Sequence, residues 1–334
     1  MATIYEDEGS APPAWSVIEF TCSLTDTDST LIVTCNSRRV VINIFADNFS
    51  STPALKEKYV FFLDNFDSDI DAEEDFYDWV GEPMLPIFRQ LGSLEPIPRS
   101  LDVFLSPETY YYTLRADGDS LVAIPRPETK PTSPMFGISI PEDTCSSWPS
   151  FKPSDIRLCE DDRIHGPPNP TPAKVMLGDE TIAFLKLMRR GDKGFLLNEL
   201  GTYKQIHNAH LDENLRISRL LGTVRDEQGR VVGLLLTYID CRRKTLACAA
   251  KPSTEDSLRQ KWSRQIESSI CELHSAGIAW GDAKPDNVLI DQQDDAWLID
   301  FGGSYRAGWV PKELAGTRQG DLVALAKIRE FLRV

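Results

Sequence analysis

The sequence predicts an α+β protein of two folded parts, and three observations carry that reading. Each half opens with short β-patterned runs and continues with amphipathic helical ones. Prolines crowd between Pro125 and Pro172, in "PRPETKPTSPMFG", "KPSD" and "HGPPNPTP". The net charge of −15 is unequally shared, roughly −17 over residues 1–165 against roughly +2 over the rest. A length of 334 residues suits two domains better than one.

Composition excludes several classes. No apolar run approaches the roughly 18 residues that cross a bilayer, and the longest, Val231 to Ile239, reads as a buried strand. The start, "MATIYEDEGSAPPAW", has neither the basic opening nor the apolar core of a signal peptide, so a cytoplasmic protein without membrane contact is expected. Seven scattered cysteines without a CxxC pair are expected to be reduced thiols, with Cys22 and Cys35 on adjacent strands. The acidic first half argues against nucleic acid and anionic lipid. It is read first as a solubility feature, with a basic protein partner as the alternative.

The elements follow in order. Residues 1–14 are expected to be a disordered tail, and residues 15–125 an acidic α+β module of unknown role. Within it "WSVIEFTCSL", "STLIVTC" and "RRVVINIF" are strands, and "TPALKEKYVFFLDNF" and "DAEEDFYDWVGEPMLPIF" are helices, the second with an acidic first turn. "SLDVFLS" is predicted as a strand, and "YYYTLRADGDSLVAI" as a hairpin around Ala116 to Asp119. Residues 126–171 read as a linker or an irregular wrapping segment, because proline removes donors and disfavours helix before it.

From residue 172 the pattern is strand, strand, helix, strand, strand, then helices. "AKVML" and "TIAFLKLM" are the first strands. The helix "GFLLNELGTYKQIHNA" carries the stripe Leu196, Leu197, Leu200, Tyr203 and Ile206. "NLRISRLLGTV" and "GRVVGLLLTYID" are joined by "RDEQG". The helix "TEDSLRQKWSRQIESSICELHSAG" is expected to be capped by Thr254 and stopped at Gly277, and "GDLVALAKIREFL" is the last helix. His207 and His210 stand at i and i+3 with no third ligand nearby, so a helix end is preferred to a metal site.

The chemistry concentrates in "AWGDAKPDNVLIDQQDDAWLIDFGGSY", residues 279 to 305. Asp282, Lys284 and Asn287 precede the apolar run Val288 to Ile290, and a second strand, Trp297 to Ile299, ends at Asp300. Pairing these strands through "DQQDD" sets Asp282, Asn287 and Asp300 at one end of a hairpin. Phosphoryl transfer needs such a set: one carboxylate to orient a hydroxyl, two oxygen ligands for Mg²⁺, and a lysine to offset phosphate charge.

The stretch resembles the catalytic core of the eukaryotic protein-kinase superfamily, whose pattern is H-R-D-x-K-x-x-N followed by D-F-G. "WGDAKPDN" matches at Asp282, Lys284 and Asn287. "DFG" matches at Asp300, Phe301 and Gly302, eighteen residues after Asp282. The resemblance implies a two-lobed kinase-like domain over residues 172–334, with a small lobe to 240 and a shortened large lobe from 241. It implies ATP and Mg²⁺ as cofactors, with Asp282 and Lys284 catalytic and Asn287 and Asp300 on the metal. Lys186 would hold phosphates, Glu199 would orient it, and Thr237, Tyr238 and Ile239 would meet adenine. Asp321 matches the helix aspartate that braces the catalytic loop, with a simple N-cap as the competing reading.

The sequence also departs from the pattern. Only Gly178 stands where a glycine-rich loop is expected. Phe184 replaces the small alanine of the adenine pocket, which predicts a narrower pocket or a different register. Trp280-Gly281 replaces His-Arg, which removes the usual receptor for a phosphorylated loop. No A-P-E motif follows within the sequence, and the later docking helices of the family are expected to be missing. The ensemble looks most like the short, atypical kinase-like proteins of fungi. An ATP-dependent Ser/Thr-type kinase is the first reading, with an unidentified protein or small-molecule acceptor. A pseudokinase scaffold and an aminoglycoside-type small-molecule kinase, suggested by "GDAKPDN", are the alternatives.

Overall fold

The computed structural model describes residues 13, 15–23, 27–66, 70–91, 100–127, 135–159, 173–303 and 309–334. The expected tail over 1–14 falls, apart from Pro13, outside them. The described residues form two compact units, one up to residue 127 and one from residue 135.

The first unit is a five-stranded sheet with helices. Strands β1 (Trp15–Cys22), β2 (Ser29–Cys35) and β3 (Arg38–Ile44) form an antiparallel meander. Helices α1 (Pro53–Asn65), α2 (Ile70–Gly81), α3 (Leu85–Gln90) and α4 (Leu101–Leu105) follow. Strand β4 (Thr109–Asp117) then pairs parallel with β3, which requires a long crossover, and the helices supply it. The hairpin to β5 (Ser120–Pro125) closes the sheet. Alternation on β2 and β3 sends Leu31, Val33, Val40, Ile42 and Ile44 to one face, where Phe49, Tyr59, Phe62, Phe76 and Trp79 cover them. The Tyr59 hydroxyl lies 2.7 Å from that of Ser29, so its polar end is satisfied inside the core.

Two local expectations are corrected here. "SLDVFLS" is helical in α4: Leu101, Phe104 and Leu105 sit at i, i+3 and i+4, and the amide of Ser106 bonds the carbonyl of Asp102. In so short an apolar run the two periods are hard to separate. The single helix expected over 71–88 is broken at Glu82–Met84 by a 3₁₀ turn, where Pro83 lacks a backbone donor. Cys22 and Cys35 do lie on neighbouring strands, at opposite ends of the β1–β2 pair, and all seven cysteines are free.

The second unit begins inside the proline-rich segment. Strands β6 (Ser150–Phe151) and β7 (Arg157–Leu158) take the two edges of a six-stranded sheet. Its remaining strands are β8 (Lys174–Met176), β9 (Ile182–Leu187), β10 (Leu220–Arg225) and β11 (Val231–Thr237), in the order β6-β10-β11-β9-β8-β7. Residues 135–159 are therefore part of this fold rather than a spacer. β6 lies parallel against β10, where a side chain at Gly222 would meet the Phe151 ring at 2.6 Å. Glycine is what lets the strand in.

Helix α5 (Lys193–Asn208) follows β9. Its buried stripe is Leu196, Glu199, Leu200, Tyr203 and Ile206; the expected Leu197 is exposed, and a glutamate takes the buried place. After β11 come α6 (Leu246–Ala249) and the long α7 (Asp256–Ser275). Thr254 does not cap α7: its hydroxyl donates to the Ala249 carbonyl and accepts from the Lys251 amide, and Glu255 is the N-cap residue. The helix does stop at Gly277, with the amides of Gly277 and Ile278 bonded to the carbonyls of His274 and Leu273. The hairpin β12 (Val288–Ile290) and β13 (Ala296–Leu298) and the helix α8 (Arg318–Leu332) complete the unit. One continuous core runs from α5 and β11 through the hairpin to α7 and α8. Among the described residues no helix is long and apolar enough to cross a membrane.

Candidate active site

Lys186 stands near the end of β9. Alternation places Ala183 and Leu185 in a buried layer and Phe184 and Lys186 on the other face. The Lys186 Nζ lies 2.9 Å from Glu199 Oε2 and 2.9 Å from Asp300 Oδ1. Glu199 comes from α5 and is 1% exposed, so this ammonium is its compensating charge. Burial pushes the Lys186 ammonium down, but the two carboxylates outweigh it and hold the group above the ordinary lysine value. Burial pushes Glu199 up, and Lys186 offsets that only in part.

Asp282, Lys284 and Asn287 are all buried in the loop that enters β12. Lys284 Nζ lies 2.6 Å from Asp282 Oδ2. The Asn287 amide nitrogen donates to the Asp282 backbone carbonyl at 2.9 Å and to its Oδ2 at 2.8 Å. Those bonds use the amide nitrogen of Asn287 and set the orientation of its Oδ1. The backbone amide of Ile299 bonds the Asn287 carbonyl at 3.0 Å, which ties this loop to the residue preceding Asp300. Asp300 itself has φ +60, a left-handed conformation that costs a non-glycine residue on the order of 1 kcal/mol. Next to it Phe301 is buried, its ring 5.6 Å edge-on from that of Tyr203 on α5.

A buried aspartate from α8 holds the loop from behind. Asp321 Oδ2 accepts from the Trp280 amide at 2.7 Å and Oδ1 from the Gly281 amide at 2.8 Å, while His274 Nε2 lies 2.8 Å from Oδ2. The N-cap of α8 is Thr317, whose hydroxyl accepts from Gly320, so Asp321 braces the loop and is not the cap. Gly281 has φ +87, and a Cβ there would lie 3.5 Å from the Cα atoms of Gly303 and Gly316. The Trp280 indole donates to the Ile299 carbonyl at 2.8 Å. His274 and the indole bond of Trp280 carry no local sequence signal, because their partners lie 47 and 19 residues away.

The residues after β11 are partly committed. The amide of Thr237 bonds the Arg219 carbonyl at 2.9 Å, so that donor is not available to a base. Ile239 is buried, and Tyr238 is half-buried beneath the Lys174 ammonium. The histidine pair is not drawn into the site: His207 packs against Trp148, and among the described residues no three His, Cys, Asp or Glu side chains form a metal cluster. A magnesium ion here would be held by Asn287 Oδ1 and Asp300 together with oxygens of its own ligand and water, which suits a cation that keeps part of its hydration shell.

A family model described as "Protein kinase domain" matches residues 187–319. The chain carries a protein-kinase-like domain. The maternal embryonic leucine zipper kinase of Danio rerio is 30% identical over 139 residues, covering 39% of this chain and 19% of that protein. The probable cAMP-dependent protein kinase catalytic subunit of Encephalitozoon cuniculi is 26% identical over 121 residues, 36% of this chain and 35% of that protein. The maternal embryonic leucine zipper kinase of Xenopus tropicalis is 49% identical over 49 residues, 15% of this chain and 7% of that protein. The chain thus spans well under half the length of these relatives.

Gly178 lies in the turn between β8 and β9, where the Leu177 amide bonds the Thr181 carbonyl.

Proposed function

We propose that the kinase-like domain is an ATP- and Mg²⁺-dependent phosphotransferase acting on a hydroxyl acceptor in the manner of Ser/Thr kinases. The observation that carries it is Lys186, turned inward and held 2.9 Å from both Glu199 and Asp300. When bound, magnesium ATP supplies the phosphoryl group and a divalent charge. Lys186 positions phosphate oxygens, and Asn287 and Asp300 hold the ion. Asp282 orients the acceptor hydroxyl and takes its proton, and Lys284, 2.6 Å away, offsets charge gathering at the transferred group. Asp321 keeps that loop in place.

A scaffold that binds nucleotide or partners without turnover is the second reading. The 38% exposed Phe184 ring on the Lys186 face favours it, since it occupies space a base would use. The test uses radiolabelled ATP and Mg²⁺ with generic protein acceptors and small hydroxylated molecules, beside Asp282→Ala. Label in the wild type and none in the variant supports transfer, and the acceptor labelled decides between protein and small-molecule kinase. Equal label in both ends the enzymatic reading. Thermal stabilisation by Mg²⁺ and ATP, about 2.7 kcal/mol at 100 times Kd, without any label supports the scaffold.

A further inference from the structure

One end of the Lys186 face has a lining that the proposed reaction does not use. Phe184 lies two residues before Lys186 on the same side of β9, roughly 7 Å along the strand, and is 38% exposed. The strand register sets Lys174 of β8 beside it on one flank and Leu236 of β11 on the other. The Lys174 ammonium reaches across to Tyr238, just beyond β11, and sits 5.2 Å from the ring centroid. A phenyl ring and a tethered cation therefore occupy the zone between the phosphate-binding lysine and the residues after β11.

A nucleotide base is bound by stacking in an apolar slot and by a few aligned backbone groups. Here a partly exposed phenyl ring stands beside Lys174 on the face that carries Lys186. A base entering would also have to break the Lys174–Tyr238 contact or pack against a cation stripped of water. The Thr237 amide, one natural donor at this place, is already bonded to Arg219. Among the described residues the other end carries Lys186, Asn287 and Asp300, the groups assigned above to phosphate and metal.

We propose that Phe184 and Lys174 are donor-selectivity residues: the site binds a magnesium triphosphate through its phosphates and does not discriminate the base. The inference rests on the phosphotransferase reading and concerns its donor.

Calorimetric titration of the full chain in Mg²⁺ with ATP, GTP, CTP and inorganic tripolyphosphate tests it. The four Kd values are expected to agree within threefold, and the doubly substituted Phe184→Ala, Lys174→Val protein is expected to bind ATP at least tenfold more tightly than tripolyphosphate. Wild-type preference for ATP of tenfold or more overturns the inference and leaves the phosphotransferase reading intact. So does a doubly substituted protein that gains no base preference. Binding of none of the four by either protein overturns both; binding of ATP by the substituted protein alone overturns this inference and shows a closed slot.

Discussion

Lys186 and Asp300 lie 114 residues apart in the chain and 2.9 Å apart in space. With Glu199 they make a three-member charge cluster that joins β9, α5 and the loop after β13. The two carboxylates share the single ammonium of Lys186.

Removing that cation should expose the cost of the buried glutamate. Lys186→Met is expected to lower stability by about 3 kcal/mol, because Glu199 is left uncompensated at 1% exposure. Adding Glu199→Gln should recover most of the loss in urea unfolding. A double-variant loss equal to the sum of the losses in Lys186→Met and Glu199→Gln alone would show the two residues to be uncoupled.

Asp321→Asn preserves shape but replaces one acceptor oxygen with a donor facing an amide. A loss of about 2 kcal/mol is expected, with faster hydrogen exchange at the Trp280 and Gly281 amides. Unchanged protection of both amides would remove Asp321 as the brace.

Trp280→Phe deletes the indole donor to the Ile299 carbonyl and shrinks a fully buried side chain. The expected cost is at least about 1–2 kcal/mol for the carbonyl left without its partner, with the vacated volume adding to it. A stability equal to wild type would mean that this bond does not hold Ile299, and therefore Asp300, in register with the loop.

Acid titration should report on Asp295 in the β12–β13 turn. Burial pushes its carboxyl up, but Lys261, Gln265 and Arg216 outweigh that and bring it from 3.8 down to about 2. Its folded value is depressed, so the stability it contributes is present above about pH 4 and is lost as pH falls toward 2. Asp295→Asn should flatten this part of the pH–stability curve relative to wild type, and added salt should shrink the difference. Parallel curves for the two proteins between pH 5 and 2 would refute it.

Much of this was legible along the chain, for identifiable reasons. The strands of the first unit alternate cleanly, since one face packs on a core, and β11 reads as a continuous apolar run. Asp282, Lys284, Asn287 and Asp300 stand at close, fixed spacing in a loop and hairpin, so local sequence carries their geometry. α4 was misread because five residues hold too few turns to separate a period of 3.6 from one of 2. β6 and β7 were hidden because two-residue strands have no periodicity; their partners on β10 and β8 alone make them strands.

Local pattern was enough for the α+β class, the longer strands and helices, and the set of charged residues around the DFG stretch. The tertiary structure alone decided which way Lys186 faces, that Asp321 grips the loop instead of capping its helix, and that Lys174 and Phe184 share one face of the sheet. Each of these depends on strand register or on partners tens of residues away. Contacts of that range are set by packing the whole unit, which leaves no trace in a local pattern.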